Sequence, residues 1–420
     1  MKTYTRKDFE KHENFCLYPF VQLYGDSTQS NSPEEKFMIK PCCITNDDNP
    51  SYASSLDNIF NHDYLKNIRK TFMSNKIPSG VCDECIFKEK SINKNKSKSK
   101  RIEALSNHPM YYNDEAKHPV YHNIDFVVEE DGTMISDFQD LDIRPSNICN
   151  LKCIMCNPWY SSKWYEDFDI YNETFIDTKE YNTVDITKKS INLSNKQTDW
   201  EWLYTHASKL KRVFIAGGEP FFMKESRDFL KHLVDNDFSS NIVLEITTNA
   251  TIVDDALISL LKSFKDNCIT ISLDGVNEVN HIIRYPTDWN KYCSNIDLLC
   301  NEFNNYGGIV FSTVITAMNL PDAINMLNFT SQYDKTHNLS RCVDPEMLSI
   351  NSLKPDIIKK FEEDLNKCNT ISSFHYHLLK KLIDDYSYND DNNNKIKQYL
   401  KSLDKARNTD STSVLPWCWI

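Results

Sequence analysis

Three cysteines crowd into the stretch ICNLKCIMCNP: Cys149, Cys153 and Cys156, spaced C-x3-C-x2-C. Three kinds of site are open. A structural zinc takes four ligands and closes its tetrahedron. A [4Fe–4S] cube takes thiolates and has four irons, so three cysteines leave one iron without a protein ligand. An open position marks a catalytic centre, by analogy with zinc. The third reading is simple packing. Positions i, i+4 and i+7 share one helix face, where cysteine acts as a small hydrophobe. Against it, Ser146-Asn147 and Asn157-Pro158 bracket the cluster and restrict any helix there to a couple of turns. Clustered thiols are also open to oxidation unless ligated.

A second set of thiols, Cys16, Cys42, Cys43, Cys82 and Cys85, falls within the first ninety residues. Cys82-x2-Cys85 is a metal-knuckle spacing. Four of the five could close a zinc site or an auxiliary [4Fe–4S] cluster, and a structural zinc ribbon is the simpler of these. Adjacent cysteines seldom both bind one metal, so Cys42 is the expected ligand and Cys43 the spare. The remaining six, Cys268, Cys293, Cys300, Cys342, Cys368 and Cys418, stand apart and read as buried hydrophobes. Cys418 lies in the aromatic tail PWCWI, expected to be buried.

These residues need a frame. The chain has 420 residues, enough for two or three domains or one barrel with additions. Its 48 basic and 60 acidic residues give a net charge of −12, which argues against general nucleic-acid binding. No apolar run is long enough to span a bilayer, so no membrane partner is expected. The start, MKTYTRKDFEKHENF, lacks the apolar core of a signal peptide. The expected compartment is the cytoplasm, where fourteen cysteines are not a disulfide framework.

The positioning elements follow from periodicity. MISDFQDLDIRPSN reads as a strand running into the three-cysteine loop. Then strands alternate with helices: WEWLYTHASKL, RVFIAGGEP, RDFLKHLVDN, IVLEITTNA, DDALISLLKSF, CITISLDG, WNKYCSNIDLLCNEF, GIVFSTVITA. This alternation predicts βαβ units and a parallel sheet. The tips GGEP, TTNA and SLDG should gather with the cysteine loop beyond the carboxyl ends of the strands. Residues 160–200 read as a polar, aromatic insertion with a short helix at its start. The basic run from Lys88 to Arg101 reads as a solvated linker or helix face. After Asp344 the chain reads as helical.

Taken in order, these tips resemble the radical S-adenosylmethionine (SAM) superfamily. In that resemblance GGEP, Gly217, Gly218, Glu219 and Pro220, answers to the motif that meets the SAM amino group. TTNA, with Thr248 and Asn249, resembles its TTNG strand end. ISLDG, with Ser272 and Asp274, resembles its ribose-side motif. Arg284 follows Ser272 by twelve residues, the relation of SAM-contacting Ser and Arg in the peptide-modifying branch. TVITAMN, with Val314, stands where the family packs the adenine. Two residues depart from the pattern. Met155 replaces the aromatic residue that usually precedes the third cysteine, and could cover the cofactor as a soft apolar contact. Ala250 replaces a glycine, which asks that the backbone there avoid positive φ.

The resemblance implies an α/β fold: a partial (β/α)6 TIM-type barrel over residues 135–345 and a helical region with an aromatic tail over 346–420. It implies a catalytic [4Fe–4S] cluster on Cys149, Cys153 and Cys156, with SAM filling the fourth position. It implies an external electron donor such as flavodoxin or ferredoxin. The first hundred residues, C…PF…PCC…NIFN…YLK.IR…P..C..C, resemble the twitch/SPASM auxiliary-cluster domains. Those usually follow the barrel; here the unit precedes it, with cysteines for one auxiliary [4Fe–4S] cluster, zinc remaining the alternative. The implied activity is reductive SAM cleavage and hydrogen abstraction from a substrate, a peptide or protein by analogy with enzymes carrying such domains. Modification of a small metabolite or nucleotide, and a non-catalytic cluster or zinc scaffold, are the alternatives.

Overall fold

The computed structural model describes residues 2–9, 11–27, 37–45, 51–90, 99–102, 121, 124–175, 197–303 and 307–420. Most of the expected insertion and most of the basic run lie outside them. Among the described residues no helix is long and apolar enough to cross a membrane.

The strands are β1 (Thr3–Thr5), β2 (Gln22–Asp26), β3 (Phe37–Ile39), β4 (Ser51–Ala53), β5 (Val127–Glu129), β6 (Asp140–Arg144), β7 (Arg212–Ile215), β8 (Val243–Thr248), β9 (Asp266–Ser272), β10 (Gly307–Ile315) and β11 (Thr336–Arg341). β1 and β5 pair antiparallel on their own. The other nine form one sheet in the order β11-β10-β9-β8-β7-β6-β2-β3-β4. From β6 to β11 the strands lie side by side in chain order, all parallel. This is the strand–helix alternation of the sequence made into an α/β sheet. DLDIR, however, does not open the parallel set. β2 lies parallel on its other side, and β3 and β4 continue antiparallel. The first hundred residues thus extend the common sheet. They also share its apolar core, which joins Phe20, Leu23 and Phe72 to Leu141, Ile246 and Phe311.

Register explains how this sheet makes room for a site. In the row Gly25, Ile143, Ile215, Ile246, Ile269, every strand neighbour sends its side chain to one face. That face is buried with Phe229, Leu233, Leu257 and Ile296 of the covering helices. Each fully buried Leu or Ile there contributes about 1.5–3 kcal/mol. The alternate positions face the other way and are mostly polar: Tyr24, Asp142, Phe214, Glu245 in one row, and Asp26 and Arg144 in another. Arg144 bonds Asp142 at 2.6 Å, while Arg212 holds Asp140 at 2.8 Å and Glu245 at 2.7 Å. Sheets covered on both faces usually carry apolar runs. Here the alternation leaves one face as a polar lining.

Beyond the sheet, helices Pro355–Lys367, Ser373–Asp384 and Asp390–Arg407 form the expected helical region. They build a second apolar core with Ile154, Trp164, Tyr171 and Leu348. The tail closes it. Cys418 is buried with its thiol 3.6 Å from the Ala317 carbonyl, and Trp417 Nε1 donates to the Met318 carbonyl at 3.2 Å.

Candidate functional site

Ile148–Pro158 follows β6 as loop and turn, so the three cysteines do not share a helix face. The loop is held by its backbone. Lys152 N–H donates to Tyr285 O at 2.7 Å and Ile154 N–H to Ile283 O at 2.8 Å. Trp164 Nε1 donates to Cys153 O at 3.0 Å. Beneath it runs a buried ion chain. Lys152 Nζ meets Asp167 at 2.8 Å, and Asp167 meets Arg407 Nε at 2.8 Å. Arg407, at the end of the helix Asp390–Arg407, lies over the Trp164 ring at 4.8 Å.

The glycines of GGEP let two strand ends meet. Gly217 and Gly218 have φ of +79° and +53°. A Cβ on Gly218 would stand 2.3 Å from the Ile148 carbonyl oxygen. The same oxygen accepts from Glu219 N–H at 2.8 Å. So GGEP is laid directly against the start of the cysteine loop. Gly218→Ala should therefore destabilise the protein by at least ~2 kcal/mol, from left-handed strain plus the backbone collision. Denaturant unfolding measures it, and a loss below ~0.5 kcal/mol would contradict this packing.

Glu219 is buried and faces protein donors. It accepts from Thr248 Oγ1 at 2.7 Å, Phe221 N–H at 3.0 Å and Asn249 N–H at 2.6 Å. Burial pushes its carboxyl above the ordinary range despite these donors. Its side chain ties GGEP to TTNA, leaving the Gly217–Gly218 backbone to line the site. Asn249 Nδ2 sits 3.9 Å from the Cys149 sulfur and 2.9 Å from Asn150 Oδ1. The expectation for Ala250 is overturned: its φ is +53°. The turn is imposed from both sides, since Ala250 N–H donates to Thr248 Oγ1 at 3.0 Å and Asn295 Nδ2 donates to Ala250 O at 2.8 Å. These bonds offset the ~1–2 kcal/mol that a left-handed alanine costs.

Arg284, which the resemblance assigns to SAM contact, is paired with one of the protein's own carboxylates. Its guanidinium donates to Asp274 Oδ2 at 2.6 Å, and Asp274 Oδ1 accepts from Val314 N–H at 3.0 Å. Its Nε is buried without a hydrogen-bond partner, a donor still open to a ligand. Asp274, Val314 and Pro220 do not line the cavity that the cysteines share. Asp274 orients Arg284.

That cavity, of about 870 Å³, gathers Cys149, Cys153, Met155, Cys156, Gly217, Gly218, Glu219, Thr248, Asn249, Ser272 and Arg284. Met155 is part of its wall. Burial pushes the Cys149 thiol up to about 12, and raises Cys153 and Cys156 as well. Ligation must therefore expel protons, and a bound cationic centre is what makes thiolates tenable there. Sequence reasoning missed Lys40, Tyr52, Trp159, Tyr160 and Asp344, which also line it. Only WYSS, directly after the cysteines, carried a local signal.

Cys16, Cys42, Cys82 and Cys85 surround a second, small cavity of about 20 Å³. Burial raises the Cys16 thiol and pushes Cys42 and Cys82 up to about 12, each also raised by neighbouring thiols of the set. Cys43 turns to a different cavity of about 250 Å³ on the polar face of the sheet, which Cys42 also lines. Among the described residues no three His, Cys, Asp or Glu side chains converge on a single metal ion.

Compared with known protein families, residues 143–330 match the Radical SAM superfamily. An uncharacterized protein of Methanocaldococcus jannaschii is 26% identical over 261 residues, covering 61% of this chain and 80% of its own. Among solved structures, anSMEcpe with bound AdoMet is 20% identical, with a TM-score of 0.38, over 54% of this chain and 58% of its own. SuiB of Streptococcus suis bound to S-adenosylmethionine is 14% identical, with a TM-score of 0.33, over 55% of this chain and 44% of its own. The chain thus spans less than two thirds of either solved protein.

Proposed function

We propose that this chain, an enzyme whose residues 143–330 form a radical SAM superfamily domain, cleaves SAM reductively and abstracts hydrogen from a peptide or protein substrate. The observation that carries it is the single cavity joining Cys149, Cys153 and Cys156 to Gly217, Gly218, Asn249, Ser272 and Arg284. Three thiols suit a cluster with one open iron. When bound, the cluster supplies one electron that breaks SAM into methionine and a 5′-deoxyadenosyl radical. The protein's part is binding, orientation and exclusion of side reactions. The Gly217–Gly218 backbone admits a ligand closely, having no side chain there. Arg284, steadied by Asp274, offers its open Nε to the methionyl carboxylate. Met155 supplies apolar contact for the adenine, while Val314 acts through its backbone N–H, which holds Asp274.

The six consecutive parallel strands β6 to β11 are read as the partial (β/α)6 barrel, its polar lining facing the chamber. The four thiols Cys16, Cys42, Cys82 and Cys85 are read as the twitch-like auxiliary [4Fe–4S] site. Flavodoxin or ferredoxin would supply the electron. A peptide substrate is supported by the resemblance to the peptide-modifying branch and by a cavity roomy enough for more than SAM, walled by Tyr52, Trp159 and Tyr160.

Anaerobic reconstitution tests both parts. With dithionite and SAM, 5′-deoxyadenosine should form, and its absence would end the enzymatic reading. Iron should reach about eight per chain, two cubes of four. Cys42→Ala should lower this to about four, while Cys43→Ala should leave it at about eight. Equal losses in the two variants would refute the auxiliary site as assigned.

A further inference from the structure

We propose that Lys40 anchors an anionic group of the substrate, a carboxylate or a phosphate, inside the main cavity. The inference rests on the enzymatic reading and deepens it. Three arginines lie on or beside the polar face, and each is committed. Arg144 holds Asp142 at 2.6 Å, Arg212 holds Asp140 and Glu245 at 2.8 and 2.7 Å, and Arg284 holds Asp274 at 2.6 Å. Lys40 is different. It is half-buried, it lines the cavity of the three cysteines, and it makes no hydrogen bond or ion pair among the described residues. Asp26 acts on it only through space.

Its place is set by the strands. Met38 of β3 stands opposite Asp26 of β2, so Met38 and Lys40, two residues apart, point to the polar side of the sheet. Both line the cavity, with Tyr52 of β4 next to Met38 in register and Trp159 and Tyr160 completing the wall. An amine partly drawn out of water with only a carboxylate acting through space, and no direct ion-pair partner, is costly. The carboxylate of Glu219, in the same cavity, is taken up by its three donors from Thr248, Phe221 and Asn249. An anion on the substrate would complete Lys40, and the aromatic wall would flank the group that carries it.

The test uses the full chain, reconstituted anaerobically and loaded with SAM. Calorimetric titration compares capped tripeptides with a central glutamate, glutamine or phosphoserine. Wild-type protein should bind one of the anionic peptides at least about tenfold more tightly than the glutamine peptide. Preference for glutamate identifies a carboxylate, and preference for phosphoserine a phosphate. Lys40→Met should erase the preference and Lys40→Arg should keep most of it. Wild-type protein that forms 5′-deoxyadenosine but binds all three peptides equally, or not at all, overturns this inference alone. A preference surviving in Lys40→Met also overturns it. Wild-type protein that cannot cleave SAM overturns the reading beneath it and the inference together.

Discussion

Alanine at Cys149, Cys153 or Cys156, introduced singly, is expected to lower 5′-deoxyadenosine formation by more than ~100-fold, beyond what losing an outer-shell partner of a metal site costs. On the proposed function the cluster would have no spare ligand, since these three thiols are the cysteines that line this cavity and SAM would take the fourth position. The fold should survive. The loop is held by the backbone of Lys152, Ile154 and Cys153, and the thiols add only long sulfur contacts, such as Leu151 N–H to Cys149 at 3.4 Å. Circular dichroism should therefore match wild type, with about four irons left if the proposed N-terminal cluster is loaded. Any single variant retaining more than about a tenth of wild-type turnover would show that its thiol is not a ligand of the working cluster.

The second large effect is far from the cysteines in sequence. Arg407→Met should destabilise the protein by about 3–5 kcal/mol, the usual result of removing one partner from a buried ion pair. Arg407 and Asp167 are almost wholly buried, with side-chain exposures of 2% and 4%. Without Arg407, Asp167 keeps only Lys152, and the Trp164 ring loses the guanidinium over its face. Trp164 is also the donor to the Cys153 carbonyl. On the proposed function, the variant should accordingly lose catalytic-site iron on gel filtration while the proposed site at Cys16, Cys42, Cys82 and Cys85 keeps its own. A drop under ~0.5 kcal/mol in denaturant unfolding, or iron retained at wild-type level, would show that the chain Lys152–Asp167–Arg407 is incidental.

What the sequence made legible and what it hid have physical reasons. The tips GGEP, TTNA and SLDG could be read because each is local and follows a strand with its own period. Cys42 lines both the small thiol cavity and the polar-face cavity, and Cys43 lines only the second. Three features escaped. β2 joins β6 through a pairing of residues 118 apart, such as Gln22 with Asp140, and no local signal specifies a partner at that distance. Lys40 owes its place to that pairing. Arg407 reaches Asp167 across 240 positions, and in sequence it is one more basic residue at a helix end. The polar lining, by contrast, was written plainly in DLDIR and IVLEITT. Their alternation has period two, while a strand buried in apolar surroundings on both faces would be unbroken. Ala250 was misjudged because residue type alone cannot report a turn that Thr248 and Asn295 impose from outside.

The clamp at Arg407 also has a consequence in time. Cys156 is synthesised about 250 residues before Arg407. At about 5–20 residues per second, the three-cysteine loop spends roughly 10–50 seconds outside the ribosome before its last clamp exists. The N-terminal strands that share its sheet are already made by then. During that interval the thiols are presented on a loop that Arg407 does not yet hold from below. Once the last helix docks, the same loop is locked from below.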